Sequence, residues 1–469
     1  MPSRLLGSFK VLWSLEKYER TKLLFISSVF MLVITAYTVC KELKDIVFVA
    51  TVGSDYVPQA KMLSLFLLIP AILFYSYLVN KIRRYQLLCF YSILYGLVGL
   101  IFVYFIGHPE IGVGNTNTGP GRLLGWLFYV FIEGYSPFII SVAWAFANSV
   151  FSPKEAKEGY GFLVAGSKLG GVLSAGAAWY LLSHVTVLSG VTKQQLLLFL
   201  PSLILMLVPV VILLFMRTVS GQYLHGYQAA YEYQKSVDKG GEPGPGIFTG
   251  LWMIIRQPYV LGIFGMIFLF EVMNAVLSYL RIVYSIDGAG IETFGSRLFA
   301  IAFGYHTIGL IFALFGTTAL LRLLGERRCL FLIPFLFGAI LSVFLIFRNF
   351  ASFMFTFIGI RAANYGFFYP VRESLYIPTV KSVKFQSKAW IDAFGTKMAK
   401  GTGSGFNYVA RIVLRSGGLS LFNAIHVAFF GLILGLWAVV AWMVGKRYVA
   451  AIENNEVIGA ASVQAEAQS

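Results

Sequence analysis

Apolar windows of about 20 residues recur along nearly the whole 469-residue chain, separated mostly by short polar connections. A helix of that length crosses the ~30 Å hydrocarbon core of a bilayer with its backbone donors and acceptors paired internally. The pattern therefore commits the chain to an all-α polytopic membrane protein and leaves no room for a sizeable soluble domain. Composition agrees, with 58% hydrophobic and 12% charged residues and a mean hydropathy of +0.76. The net charge of +16 is expected in short cytoplasmic loops, so the lipid bilayer is an expected partner and nucleic acid is not. Cys40, Cys89 and Cys329 lie in or beside apolar segments without paired spacing, which predicts small core residues with neither disulfide nor metal.

Twelve spans are predicted, near residues 23–49, 57–80, 87–106, 123–151, 159–182, 196–216, 258–286, 298–324, 329–347, 351–379, 389–413 and 419–444. The one long hydrophilic break, 217–257, separates a six-helix half at 23–216 from a second at 258–445, with a segment at 1–22 before them and a polar tail at 446–469. The opening MPSRLLGSFKVLWSLEKYERTK is aromatic and basic and has no small-residue cleavage site; it predicts an interfacial helix and no signal peptide. Alternate connections carry the basic residues Lys81/Arg83/Arg84, Lys154/Lys157, those of the central break, Arg327/Arg328 and Lys381/Lys384/Lys388. This places both termini and the central break on the cytoplasmic side. The halves also echo each other: KIRR follows the second span and GERR the eighth. An offset of about 229 residues sets Glu42 opposite Glu271, and Gly166-Ser167-Lys168 opposite Gly395-Thr396-Lys397. Six plus six spans with such a repeat is the architecture of major-facilitator transporters. The expected fold is accordingly twelve transmembrane helices in two six-helix halves, major-facilitator-like.

Within the spans the ionisable residues carry the functional signal. An ionised side chain at the bilayer centre costs about 2.5–3.5 kcal/mol on insertion scales, so these groups must face one another or a water-filled cavity. The first span holds Lys44 and Asp45; neighbours in sequence point in different directions on a helix, so they are expected to pair poorly with each other. Glu133 lies in the fourth span, and Glu271 and Arg281 in the seventh, with Arg281 expected near the outer interface. Residues 361–403 form the densest run, with Arg361, Arg372, Glu373, Asp392, Lys397 and Lys400 among Tyr, Phe and Gly. Pro370 and Pro378 break the helical ladder there, so that backbone groups can line a cavity.

Buried ion pairs would satisfy all these groups structurally. This much fixed positive charge also suits a phosphorylated anion, since Lys binds phosphate as a point charge and Arg as a bidentate fork. Trp144, Tyr365 and Phe368 lie near the charges in sequence and could stack a base. GFLVAGSK at 161–168 has its Lys after the Ser and no preceding strand, so it is no phosphate loop, and GTGSG at 401–405 is no dinucleotide fingerprint. No nucleophile–base set, metal cluster or kinase motif occurs, so no enzyme activity, cofactor or metal is expected.

Three runs carry a resemblance: RESLYIPTVKSVKFQSKAWIDAFGTKMAK, KELKDIVFVAT and WAFANSVFSPKEAKEGYG. In order and content they resemble the nucleotide transporter family of the ATP/ADP translocases of intracellular bacteria and plastids, over nearly the whole chain. The resemblance implies a twelve-helix transporter, unrelated in fold to the mitochondrial carrier, that exchanges ATP for ADP and phosphate or, in other members, carries nucleoside triphosphates with protons. Residue by residue, it implies transport roles for Lys44, Glu133, Glu271 and Arg372; plant members have lysine where Arg372 stands. After Glu271 the family often has a Trp-Lys pair, whereas this chain reads VMNAVLSYL, a departure that bears on the substrate.

The expectation is ATP/ADP exchange across the cell inner (cytoplasmic) membrane by alternating access, with Lys44, Arg372, Glu133 and Glu271 binding substrate. Asp45, Arg361, Glu373, Asp392, Lys397 and Lys400 are additional candidates. Proton-coupled symport of nucleoside triphosphates or another organic anion, and a transporter-like sensor that moves no solute, are the alternatives.

Overall fold

A long apolar helix in lipid has no hydrophobic drive toward its neighbours, so what assembles this chain is close packing and interhelical polar contact. The computed structural model describes residues 17–151, 153–219, 249–286, 288, 290–315, 318–380, 383, 387–454 and 456–459. The N-terminal interfacial helix, most of the central break, and Lys381 and Lys384 fall largely or wholly outside these residues.

The first unit begins with helix α1 (Lys17–Thr51), followed by α2 (Val57–Lys81), α3 (Arg84–Gly107) and α4 (Leu123–Glu133). A π-helical turn at Ser136–Ile140 leads from α4 into α5 (Ser141–Val150), and α6 (Pro153–His184) and α7 (Gly190–Thr218) follow. The second region runs through α8 (Thr249–Arg256), α9 (Pro258–Ile286), α10 (Ile291–Phe315), α11 (Thr318–Phe347) and α12 (Phe350–Ala363). Another π-helical turn, Asn364–Phe368, precedes α13 (Tyr369–Ser374); α14 (Lys388–Trp390), a third π-turn at Ile391–Gly395, and α15 (Thr396–Glu453) complete the chain.

Among the described residues, nine helices are long and apolar enough to cross a membrane. One of these, α15, is two spans: Gly418 inside it has φ 74° and ψ −177°, between the eleventh and twelfth spans predicted from sequence. Dividing α15 there, and adding α2 and the interrupted segment 350–374, gives the twelve crossings expected. Boundaries differ around the eighth span, expected over 298–324 and found at Ile291–Phe315. Gly325 to Arg328, expected as a loop, lie within α11, because GERR contains no helix-stopping residue beyond its single glycine and helical residues flank it on both sides.

The chain forms two compact units, one comprising the described part of Met1–Glu242 with Ser285–Phe315, the other Pro243–Tyr284 with Gly316–Ser469. Helix α10, at the eighth expected span, thus belongs to the first unit, where it packs along α6. In that unit α1 packs against α4, α6 and α7, and Phe30, Tyr135, Phe146 and Phe215 lie in its core. The second unit centres on Trp437, fully buried with Phe270, Phe337 and Phe368 around it at ring-centroid distances of 6.0, 5.2 and 5.0 Å. There the chain also returns on itself: Ile458 donates to the Pro378 carbonyl at 2.7 Å and accepts from Val380 at 3.1 Å. Cys40 and Cys329 are buried.

Candidate functional site

In the first unit the charges gather on Lys44. Its ammonium lies 2.6 Å from Glu133 Oε1 and 3.2 Å from Asp45 Oδ1, and 3.8 Å from the centroid of the Tyr129 ring. Tyr129 and Glu133 stand four residues apart on α4, so one helix face offers the cation both a π-surface and a carboxylate. Sequence reasoning had Lys44 and Asp45 pairing poorly. They lie 3.2 Å apart all the same, and both groups are buried. Immediately after Glu133, the π-turn at Ser136–Ile140 re-aims the helix; Tyr135 beside it donates to the Val33 carbonyl at 2.8 Å and ties this corner to α1. Such turns insert one extra residue and are common where a helix must present a side chain off its regular track.

One turn before Lys44, Lys41 lies 3.5 Å from Glu42 Oε1 and donates to the Tyr305 hydroxyl at 3.4 Å. Beside it, Thr38 and His306 share a 3.2 Å hydrogen bond.

The second unit assembles its own cluster. Arg372 Nε lies 3.7 Å from Glu373 Oε1, with the guanidinium 4.6 Å from the Tyr369 ring. Glu373 also accepts a short hydrogen bond from Lys388, whose ammonium sits 5.3 Å from the Tyr376 ring. Asp392 stands on the third π-turn, and Glu271 accepts from Asn274 at 3.2 Å. Lys397 and Lys400 lie in the first turns of α15. Arg361 and Arg281 lie 5.3 and 5.7 Å from the ring of Phe357. Arg281 is buried at 3% exposure. Lys44, Asp45 and Glu133 thus meet in one unit, and Arg372 and Glu373 in the other.

The π-turns Ser136–Ile140 and Asn364–Phe368 lie 228 residues apart, close to the offset that relates the two halves in sequence. One turn lies just after Glu133 and the other shortly before Arg372. Trp144 packs edge-on against Phe30 at 4.6 Å, and Phe368 is fully buried in the Trp437 core.

Sequence reasoning missed Tyr129, Tyr369, Tyr376 and the pairing of Lys388. A tyrosine three or four residues from an intramembrane charge was the available signal, since that spacing stacks both on one helix face.

Helices long and apolar enough to span a bilayer, with cations and carboxylates paired inside them, define a polytopic membrane protein whose interior is charged. The fold is similar to that of a D-xylose-proton symporter (14% identity, TM-score 0.56, covering 92% of this chain and 97% of that one). A second structure, a major facilitator superfamily proton:xylose symporter bound to 6-bromo-6-deoxy-D-glucose, gives 15% identity and a TM-score of 0.53 over 91% of this chain and 95% of that one. At such identities the likeness is one of fold.

The chain belongs to the TLC ATP/ADP transporter family, whose model matches residues 4–111 and 125–279. It is 23% identical to ADP,ATP carrier protein 1 of Chlamydia pneumoniae, covering 95% of each chain. Against the protein of the same name from Chlamydia muridarum (strain MoPn / Nigg) it is 22% identical, covering 95% of this chain and 92% of that one.

Proposed function

We propose that this protein exchanges ATP for ADP across a cell inner membrane by alternating access, with both termini cytoplasmic. The observation that carries this reading is the Lys44 ammonium held between Glu133 and Asp45. A substrate phosphoryl group offers the same cation more negative charge than a carboxylate does, and competes for its donors. The Glu133 side chain is 29% exposed and that of Lys44 only 7%, so Glu133 is the partner that swings toward water while the lysine stays. Substrate binding and release of an intramembrane ion pair are thereby one event.

Arg372 takes the equivalent role in the second unit, exchanging Glu373 for phosphate, with Glu271 as an alternative carboxylate. Asp45, Arg361, Asp392, Lys397 and Lys400 set the local field. Uptake of labelled ATP into cells expressing the protein tests this: it should depend on preloaded ADP and persist with an uncoupler. Glu271 accepts its hydrogen bond from a neutral amide, which favours a second reading, proton-coupled symport. In that case an uncoupler abolishes uptake and preloading is without effect. Loss of both dependencies together with absence of uptake leaves a non-transporting sensor.

A further inference from the structure

Lys41 and Lys44 stand three residues apart on α1, which sets their Cβ atoms about 5–6 Å apart on one helix face. Both are intramembrane cations and both lean on a tyrosine and a carboxylate, yet they are held differently. Lys44 is sealed, 7% exposed and gripped at 2.6 Å by Glu133. The Lys41 side chain is 29% exposed while its carboxylate partner Glu42 is fully buried. Its contacts are long, 3.5 Å to Glu42 Oε1 and 3.4 Å to the Tyr305 hydroxyl, with the ammonium 5.4 Å from the Tyr305 ring.

The tyrosine also bridges back, donating to Glu42 Oε1 at 3.5 Å. Glu42 and Tyr305 thus form a fixed, buried seat on which a partly hydrated ammonium rests. An ammonium has three donors, and contacts this long leave Lys41 able to accept an anion without displacing its carboxylate, which Lys44 cannot do.

We propose that Lys41 is a second phosphate-binding residue, one that takes the terminal phosphoryl group of a nucleoside triphosphate while Lys44 takes an inner one. Adjacent phosphoryl groups of one chain suit two cations a helical turn apart. The terminal group is the most highly charged and most strongly hydrated of the three, so it takes the partly exposed cation. Lys41 in this role sorts triphosphate from diphosphate. The assignment rests on the nucleotide-transport reading above and adds to it a residue that discriminates phosphate-chain length.

The test is competition for labelled ADP uptake by unlabelled ATP and ADP, in cells preloaded with ADP. In Lys41→Gln, half-inhibition by ATP is expected to need about tenfold more nucleotide, the loss of one charge-assisted hydrogen bond. That by ADP should stay within about twofold, and Lys41→Arg should keep the ATP advantage. Equal weakening of both nucleotides, or an unchanged ratio, overturns the inference while leaving nucleotide transport standing; failure of the wild type to take up any nucleotide defeats the transport reading itself. Should Lys41→Gln not reach the membrane, the double variant K41Q/E42Q removes the pair together and reads the same ratio. If the double variant keeps the wild-type ATP preference, Lys41 serves only to neutralise Glu42 and the inference falls.

Discussion

At Lys44 the bilayer makes the electrostatics severe. Removing the cation leaves Asp45 of α1 and Glu133 of α4 without the charge between them, and breaking such a pair costs about 3–5 kcal/mol, the lower end applying because Glu133 is partly hydrated. Lys44→Ala is therefore expected to lower the melting temperature in detergent and to abolish uptake. Lys44→Ala with Glu133→Gln should recover much of the stability and none of the transport, as thermal denaturation beside labelled uptake will check. If the double variant transports, Lys44 is structural. Arg372→Lys keeps the charge but loses the planar fork, so uptake should fall about tenfold, the equivalent of one charge-assisted bond, and not vanish.

The Arg447–Glu456 pair in the second unit is the titratable clasp of the returning chain. Arg447 donates to Glu456 Oε2 at 2.8 Å and holds that carboxyl below the usual carboxylate range. A depressed carboxyl contributes its stabilisation above the unfolded pKa of about 4.3 and loses it as pH falls through the depressed value. A spin label at Val457 should report an immobile segment at neutral pH that loosens only in acid. In Glu456→Gln it should be loose throughout.

Among the elements, α15 shows how one backbone position makes two spans from one run of helix. Gly418 has φ 74° with open space where a Cβ would lie, so Gly418→Ala meets no clash and reports backbone strain alone, about 1–3 kcal/mol. Gly403 is the opposite case. A Cβ there would stand 2.7 Å from Ala275 Cβ and 2.8 Å from the Val272 carbonyl on α9, so Gly403→Ala must push two helices apart. Both variants should lower the melting temperature. Only the second should also disturb a distance label between α9 and α15.

Gly403 lets α9 and α15 approach closely, as a small residue between membrane helices does. The π-turns were not legible, because the extra residue each one absorbs leaves no mark in hydropathy or composition. GERR shows the converse limit: two adjacent arginines look like a loop, and in α11 both side chains are exposed on an unbroken helix.

For the whole molecule, exchange of ATP with four charges for ADP with three moves one net charge per cycle, worth about 2.3 kcal/mol for each 100 mV. In liposomes preloaded with ADP, an imposed potential, negative inside, should slow ATP entry relative to zero potential, and reversing its sign should speed it. Insensitivity to potential would show that a compensating ion moves too.

Hydropathy alone determined that this chain is an all-α polytopic membrane protein, and it made Lys44, Glu133, Glu271 and Arg372 conspicuous as charges within apolar runs, because a bilayer punishes each buried charge enough to mark it in one dimension. Which charge meets which was decided only in three dimensions. The grip of Glu133 on Lys44, the seat of Lys41 on Glu42 and Tyr305, and the capture of Glu373 by Lys388 depend on helix rotation. A single π-turn shifts that rotation by most of a residue's arc, and no linear pattern records it.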